Sequence, residues 1–280
     1  MLVSVVLLVL SCIPFIYMYE RKKPKAREIV LIALMCALTV VSNILCAYTV
    51  PLHAGTAMVI ICGIALGPQT GFLIGTLSRF VCNFFMGQGV WTVWEMFAWG
   101  LLGLLAGAMF SRIKYRGHLD DKKNIIKDNA KEGAQAVVMP IACVILFELS
   151  GYIIYLFVRK SDDTFLGWWI YAFGAAGIIA AVCLRKRRLP TNFITMSIFT
   201  FVSVFIIYGG IMNLGAFFMT GAEQTKSMEA LKLLYIAGIP YDFIHALTAS
   251  ACTFLMGENI VRKLERIKIK YGMYKRRSLC

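Results

Sequence analysis

Long apolar stretches alternate with short polar or charged breaks along the chain, on the length scale of a bilayer. A membrane-spanning helix needs about 20 mainly apolar residues. Nine stretches approach that length: 2–19, 29–50, 57–67, 70–86, 94–110, 136–158, 165–184, 193–218 and 235–256. The third is short, and Gly67-Pro68-Gln69 separates it from the fourth, since proline cannot continue a helix interior. The pattern predicts an all-α polytopic membrane protein. Residues 1–27 read as a membrane anchor with a basic linker, and 28–133 as four helices and a charged loop. Residues 134–192 read as an inserted two-helix hairpin, and 193–280 as two further helices with a basic tail. The first stretch has no basic segment ahead of it and no small-residue cleavage site, so it reads as an uncleaved anchor. The loop 215–234 is long enough for a short amphipathic lid.

Composition removes whole classes of function. Of 280 residues, 59% are hydrophobic and 16% charged, with a mean hydropathy of +0.73. A soluble domain carries roughly 45–50% apolar and about 25% charged residues. A soluble enzyme, a secreted protein and a disordered interaction protein are all excluded. The net charge of +14 would ordinarily suggest nucleic acid. Its distribution says otherwise. Threading the nine spans alternately puts 24 of the 29 Lys and Arg residues on one side and 4 on the other, with Arg79 inside a span. Basic loops stay cytoplasmic, so the chain is placed in the cell membrane with its N-terminus outside and its C-terminus inside. The charge then needs no nucleic-acid partner. Nine cysteines lie singly, nearly all in apolar stretches and without CxxC spacing; they read as small hydrophobes rather than disulfide or zinc ligands.

Candidate chemistry gathers at the outer ends of the spans. Between the fourth and fifth, Asn83 leads into Gly87-Gln88-Gly89-Val90-Trp91-Thr92-Val93-Trp94-Glu95. Tryptophans at an interface ordinarily form an aromatic belt. Here Gly-Gln-Gly permits a tight backbone excursion that brings Asn83, Gln88, Trp91 and Glu95 toward one cavity, a setting suited to a neutral or zwitterionic ring-bearing ligand. Arg79 shares a helix face with Asn83, and an arginine within a span costs roughly 2.5–3.5 kcal/mol. It either serves that cavity, pairs with Glu95 or snorkels outward. Asn213 lies near the outer end of its span, and Asp242 and His245 lie one turn apart in the last. They satisfy each other, line the same cavity or relay protons; a metal would need a second histidine nearby. At the other end, Ala33 and Ala37 sit one turn apart and leave a shallow groove where a helix can approach closely. No HExxH, GxSxG, P-loop or paired acidic motif occurs, so no catalytic residue is assigned and the chain does not hydrolyse ATP itself.

Over 28–112 and 193–271 the chain resembles the substrate-binding (S) component of energy-coupling factor (ECF) transporters. The resemblance is carried by Ala33-xxx-Ala37, Gly67-Pro68-Gln69-Thr70-Gly71-Phe72, the Asn83–Trp94 string, Tyr208-Gly209-Gly210-Ile211-Met212-Asn213, Pro240-Tyr241-Asp242-Phe243-Ile244-His245 and the basic tail Arg262-Lys263-Leu264-Glu265-Arg266-Ile267-Lys268. Val90 and Val93 stand where the family pattern carries proline, Glu95 where it carries an amide, and Arg79 lies outside the motif. The resemblance implies a six-helix S-component core that binds a vitamin or related micronutrient near the outer face. A cobalamin-type corrinoid is the first expected ligand, with riboflavin or thiamine as others. It further implies docking, through Ala33 and Ala37, onto a transmembrane coupling subunit driven by two cytoplasmic ATPases. ATP is then used by the partners, and this chain carries no cofactor.

The expected binding residues are Arg79, Asn83, Gln88, Trp91, Trp94, Glu95, Asn213, Asp242 and His245. A proton-coupled secondary transporter using Asp242/His245 and Arg79/Glu95 is the alternative, and a membrane-embedded enzyme the weakest reading.

Overall fold

The computed structural model describes residues 24–49, 52–110, 142–157, 168–184, 189–219 and 227–273. The expected anchor at 2–19, the charged loop 111–133, the basic cluster 185–188 and the end of the tail lie outside the described residues. Every element among the described residues is helical, apart from an isolated bridge between Phe110 and Leu189. They are α1 (Ala26–Thr49), α2 (Ala54–Leu66), α3 (Pro68–Met86), α4 (Trp91–Met109), α5 (Ala142–Phe157), α6 (Trp168–Leu184), α7 (Phe193–Ser203), α8 (Gly209–Met219) and α9 (Met228–Lys270). A π turn, Val204–Tyr208, joins α7 to α8 into one apolar rod. Among the described residues, four helical runs are long and apolar enough to cross a membrane: Ala26–Thr49, Trp91–Met109, Phe193–Met219 and Met228–Lys270.

The short third stretch finds its explanation in α2. At 13 residues it is about 20 Å long, less than the roughly 30 Å hydrocarbon thickness. Residues Ala54 to Ala65 are all buried. A helix apolar all round belongs in the interior, and α2 is wrapped by α1, α3, α4 and α9. It ends where Gly67 turns to a φ of 100° and Pro68 opens α3 at its first position. Proline is preorganised for that position and its missing N–H is no loss there.

Glycines bring α2, α3 and α4 together. A Cβ on Gly71 would lie 2.6 Å from the Gly63 Cα, and one on Gly103 would lie 2.6 Å from the Gly71 carbonyl carbon. Backbone meets backbone at this crossing, the close approach that small residues permit when lipid offers no hydrophobic drive between helices. Outward, α1 shows Val30, Leu34, Leu38, Val41 and Leu45, and α9 shows Phe243, Ile244, Leu247 and Leu255. So much exposed apolar side chain suits a lipid solvent and not water.

The expected lid at 215–234 is replaced by helix at both ends. The α8 helix runs to Met219, and α9 starts at Met228 behind a Ser227 cap whose hydroxyl accepts from the Ala230 N–H at 3.1 Å; residues 220–226 lie outside the described set. The α9 helix passes through Pro240 and continues beyond the last apolar stretch, for a length of about 65 Å. Its far end is tied down at the basic end of the bundle. Lys268 Nζ donates to the Ala65 carbonyl at 2.7 Å and to Glu265 at 2.8 Å, and Arg27 donates to the Tyr271 carbonyl at 3.1 Å.

The hairpin helices pack on each other through Gly151 against Phe173 and Gly177 against Val144. From there α6 reaches the π turn, α8 and α9.

Candidate functional site

Three polar groups lie toward the end of the bundle opposite the basic one. The first is built by α3, α4 and the turn between them. Gly87 takes a φ of 103°, ending α3. Thr92 Oγ1, one residue into α4, then accepts from the Gly89 N–H at 3.1 Å and contacts Gln88 Oε1 at 3.0 Å. Asn83 Nδ2 donates to Thr92 Oγ1 at 3.0 Å and to Glu95 Oε2 at 2.7 Å. Arg79 forms an ion pair with the other Glu95 oxygen. Its guanidinium carbon lies 5.1 Å from the centre of the Trp99 ring. Of the alternatives for Arg79, pairing with Glu95 is what the fold shows.

A second group joins α6, α8 and α9. Asp242 Oδ2 accepts from the Tyr171 hydroxyl at 2.5 Å and from Asn213 Nδ2 at 2.8 Å. Tyr235 donates to the Gly210 carbonyl at 2.9 Å. The third group is centred on His245, whose Nε2 bonds with Thr56 Oγ1 at 3.0 Å. Its ring stacks on His53 at 3.8 Å and meets the edge of Tyr208 at 4.5 Å. His53 Nδ1 lies 2.8 Å from Thr248 Oγ1. Asp242 and His245 therefore satisfy other groups, although they lie one turn apart.

The second and third groups adjoin, since Gly209 packs on the Asp242 carboxylate and the preceding Tyr208 meets the His245 ring. Four buried side-chain atoms here have no hydrogen-bond partner among the described residues: Arg79 Nε, Asn83 Oδ1, Trp99 Nε1 and His245 Nδ1. Native interiors leave few such atoms unmatched, and each needs an explanation. Three of the four are potential donors and one is an acceptor, so together they suit a ligand that offers both.

The expected site residues separate by depth. Asn83, Trp94, Glu95, Asp242 and His245 are buried, Arg79 and Asn213 partly so, while Gln88 and Trp91 are exposed at the rim. The Trp91 ring covers Gly89, and Trp94 lies over Gly215 and stacks with Phe218 at 5.9 Å. His53, Thr56, Tyr171 and Tyr208 are missed by sequence reasoning. Tyr208 opens the Tyr208–Asn213 motif and carried that signal, but Tyr171 is hidden in the aromatic run Trp168-Trp169-Ile170-Tyr171. Among the described residues, no group of three or more His, Cys, Asp or Glu is placed to hold a metal.

Away from this cluster, Ala33 and Ala37 are exposed on α1. They line an open apolar groove of about 620 Å³ between α1 and α3, walled by Ile29, Val41, Leu73, Leu77 and Phe85.

Residues 23–160 match the family described as ECF-type riboflavin transporter, S component. The chain resembles an ECF-type S component. That likeness is to S components in general and to a transporter family rather than an enzyme family; its description names riboflavin and gives no support to a corrinoid. The matched segment runs from α1 through α5 and stops short of α6. A UPF0397 protein of Aliivibrio fischeri (strain MJ11) is 28% identical over 109 residues, covering 36% of this chain and 58% of that protein. Its counterpart in strain ATCC 700601 / ES114 matches equally. A UPF0397 protein of Vibrio atlanticus (strain LGP32) is 32% identical over 88 residues, 29% of this chain and 47% of that one. The chain thus spans less than two thirds of the length of these curated relatives. No solved structure matches.

Proposed function

We propose that this chain is the substrate-specific membrane subunit of an ECF-type importer, binding a vitamin-like small molecule at the end of the bundle where Arg79, Asp242 and His245 converge. The observation that carries this reading is the set of four buried polar atoms without a hydrogen-bond partner among the described residues, with the Trp99 ring beside Arg79 and the rings of His53 and Tyr208 beside His245. Aromatic walls with a few polar atoms of both kinds suit a flat heteroaromatic ligand whose ring edge carries donors and acceptors side by side. Riboflavin fits that description and is the ligand in the matching family's own description. It replaces the corrinoid as the first ligand to test, with cobalamin second.

The ion-paired Arg79 and Glu95 hold no net charge between them, which favours a neutral ligand over a free anion. Gln88 and Trp91 form the rim that a ligand passes.

Delivery needs an energy source that this sequence lacks. The Ala33/Ala37 groove is the surface offered to a coupling subunit, whose two cytoplasmic ATPases supply the work. Small side chains there let two helices approach, separate and meet again with little repacking. With the basic end cytoplasmic and the Arg79 cluster facing outward, capture occurs outside and docking along the inner half of α1.

The test is titration of riboflavin and of cobalamin into the purified chain, read by quenching of flavin fluorescence and by calorimetry. Mass spectrometry then identifies any small molecule retained through purification. Saturable binding of one ligand without ATP is the expected result. ATP-independent pumping by the chain alone in liposomes would overturn the proposal.

A further inference from the structure

The hairpin does more than cover the side of the bundle. It packs on the π turn, α8 and α9, while α1, which bears the docking groove, packs on α2 and α3. The hairpin therefore stands away from the groove and directly behind the polar cluster. Its α6 contributes one hydroxyl, that of Tyr171, and this side chain is 4% exposed.

Tyr171 is held on three sides. Its ring stacks on Phe205 of the π turn at 5.5 Å and tilts against Tyr235 at 4.7 Å, while a Cβ on Gly210 would sit 3.5 Å away. The π turn is a feature that tends to mark functional sites in helices; here it carries both Phe205, against Tyr171, and Tyr208, against His245. So fixed, the Tyr171 hydroxyl donates to Asp242 Oδ2, the same oxygen that accepts from Asn213. The carboxylate is pressed flat on Gly209, where a Cβ would lie 2.6 Å from its Cγ. Two donors on one oxygen, with the carboxyl backed against glycine, determine where the other oxygen points.

We infer that the hairpin is part of the binding apparatus and that Tyr171 is a positioning residue: it anchors Asp242 by Oδ2 so that Oδ1 meets a hydrogen-bond donor on the ligand. This rests on the reading that the cluster binds a small molecule. Asp242 is the lone carboxylate of α9 between Glu229 and Glu258, so the interaction has no substitute on that helix. Tyr171 lies beyond the family-matched segment, so the family likeness does not account for it.

The experiment is a double-mutant cycle on the full chain, with riboflavin as the probe and fluorescence quenching as the readout. Tyr171→Phe and Asp242→Asn are each expected to weaken binding by about ten- to a hundredfold, the range for a lost hydrogen bond to a charged group. The double variant is expected to lose no more than the worse single one, because both act through a single carboxylate. Thermal unfolding in detergent is recorded for each, so that loss of binding is compared only among folded proteins. Wild-type affinity in Tyr171→Phe, or additive losses in the double variant, would overturn this inference and leave the binding site standing. Wild-type protein that binds no flavin would overturn the flavin reading and this inference together.

Discussion

Arg79 and Glu95 are intelligible only as a pair. Each alone breaks a rule, since the arginine lies inside a span and the glutamate replaces an amide of the resembled motif. The fold joins them in an ion pair with Asn83 as a second donor to the carboxylate, so the two departures compensate each other. Removing one partner of a buried pair leaves an uncompensated charge, at a cost of about 3–5 kcal/mol. Glu95→Gln is therefore expected to lower stability by that amount, measured by denaturant unfolding of detergent-solubilised protein. Replacing both, as Arg79→Met with Glu95→Leu, is expected to restore most of it while abolishing ligand binding. A single Glu95→Gln variant as stable as wild type would show that the pair is not buried as described.

At the scale of elements, two kinds of small-residue motif look alike in sequence and do different work. The glycines of α2, α3 and α4 face each other inside the bundle, where a new methyl group meets backbone that has no room to yield. Gly103→Ala is expected to destabilise by about 1–3 kcal/mol, the usual cost of overpacking, and a melting curve against wild type checks it. The alanines of α1 face outward instead. Ala33→Arg or Ala37→Arg is expected to leave folding and ligand binding of the isolated chain unchanged and to abolish coupled uptake. Weakened binding in the isolated variant would remove these residues from a docking role. Spacing by four gives both motifs; burial tells them apart.

Across the whole molecule, the polar cluster and the basic end lie at opposite ends of the helices. Gln88 is at one, with Arg27, Lys268 and the end of α9 at the other. Charge distribution predicts the basic end to be cytoplasmic. In a cysteine-free background, a membrane-impermeant maleimide added to intact cells is expected to label Gln88→Cys and not Arg266→Cys. The opposite pattern would invert the proposed direction of capture.

Apolar length and the placement of Lys and Arg are one-dimensional properties. From them the sequence alone determined helices in lipid, their approximate limits, one basic end, and the break at Gly67-Pro68. Local strings likewise located Asn83, Glu95, Asp242 and His245, since each is a polar residue interrupting an apolar run and such interruptions are costly in a membrane. Only the tertiary structure decided who pairs with whom. Tyr171 and Asp242 are 71 residues apart and Thr56 and His245 are 189 apart; no periodicity connects them, because the packing of α6 and α2 against α9 sets those distances. The buried position of α2, and the continuation of α9 through Pro240, were decided the same way. Neighbouring helices supply or withhold the surface on which a short apolar helix or a proline-bearing one is stable.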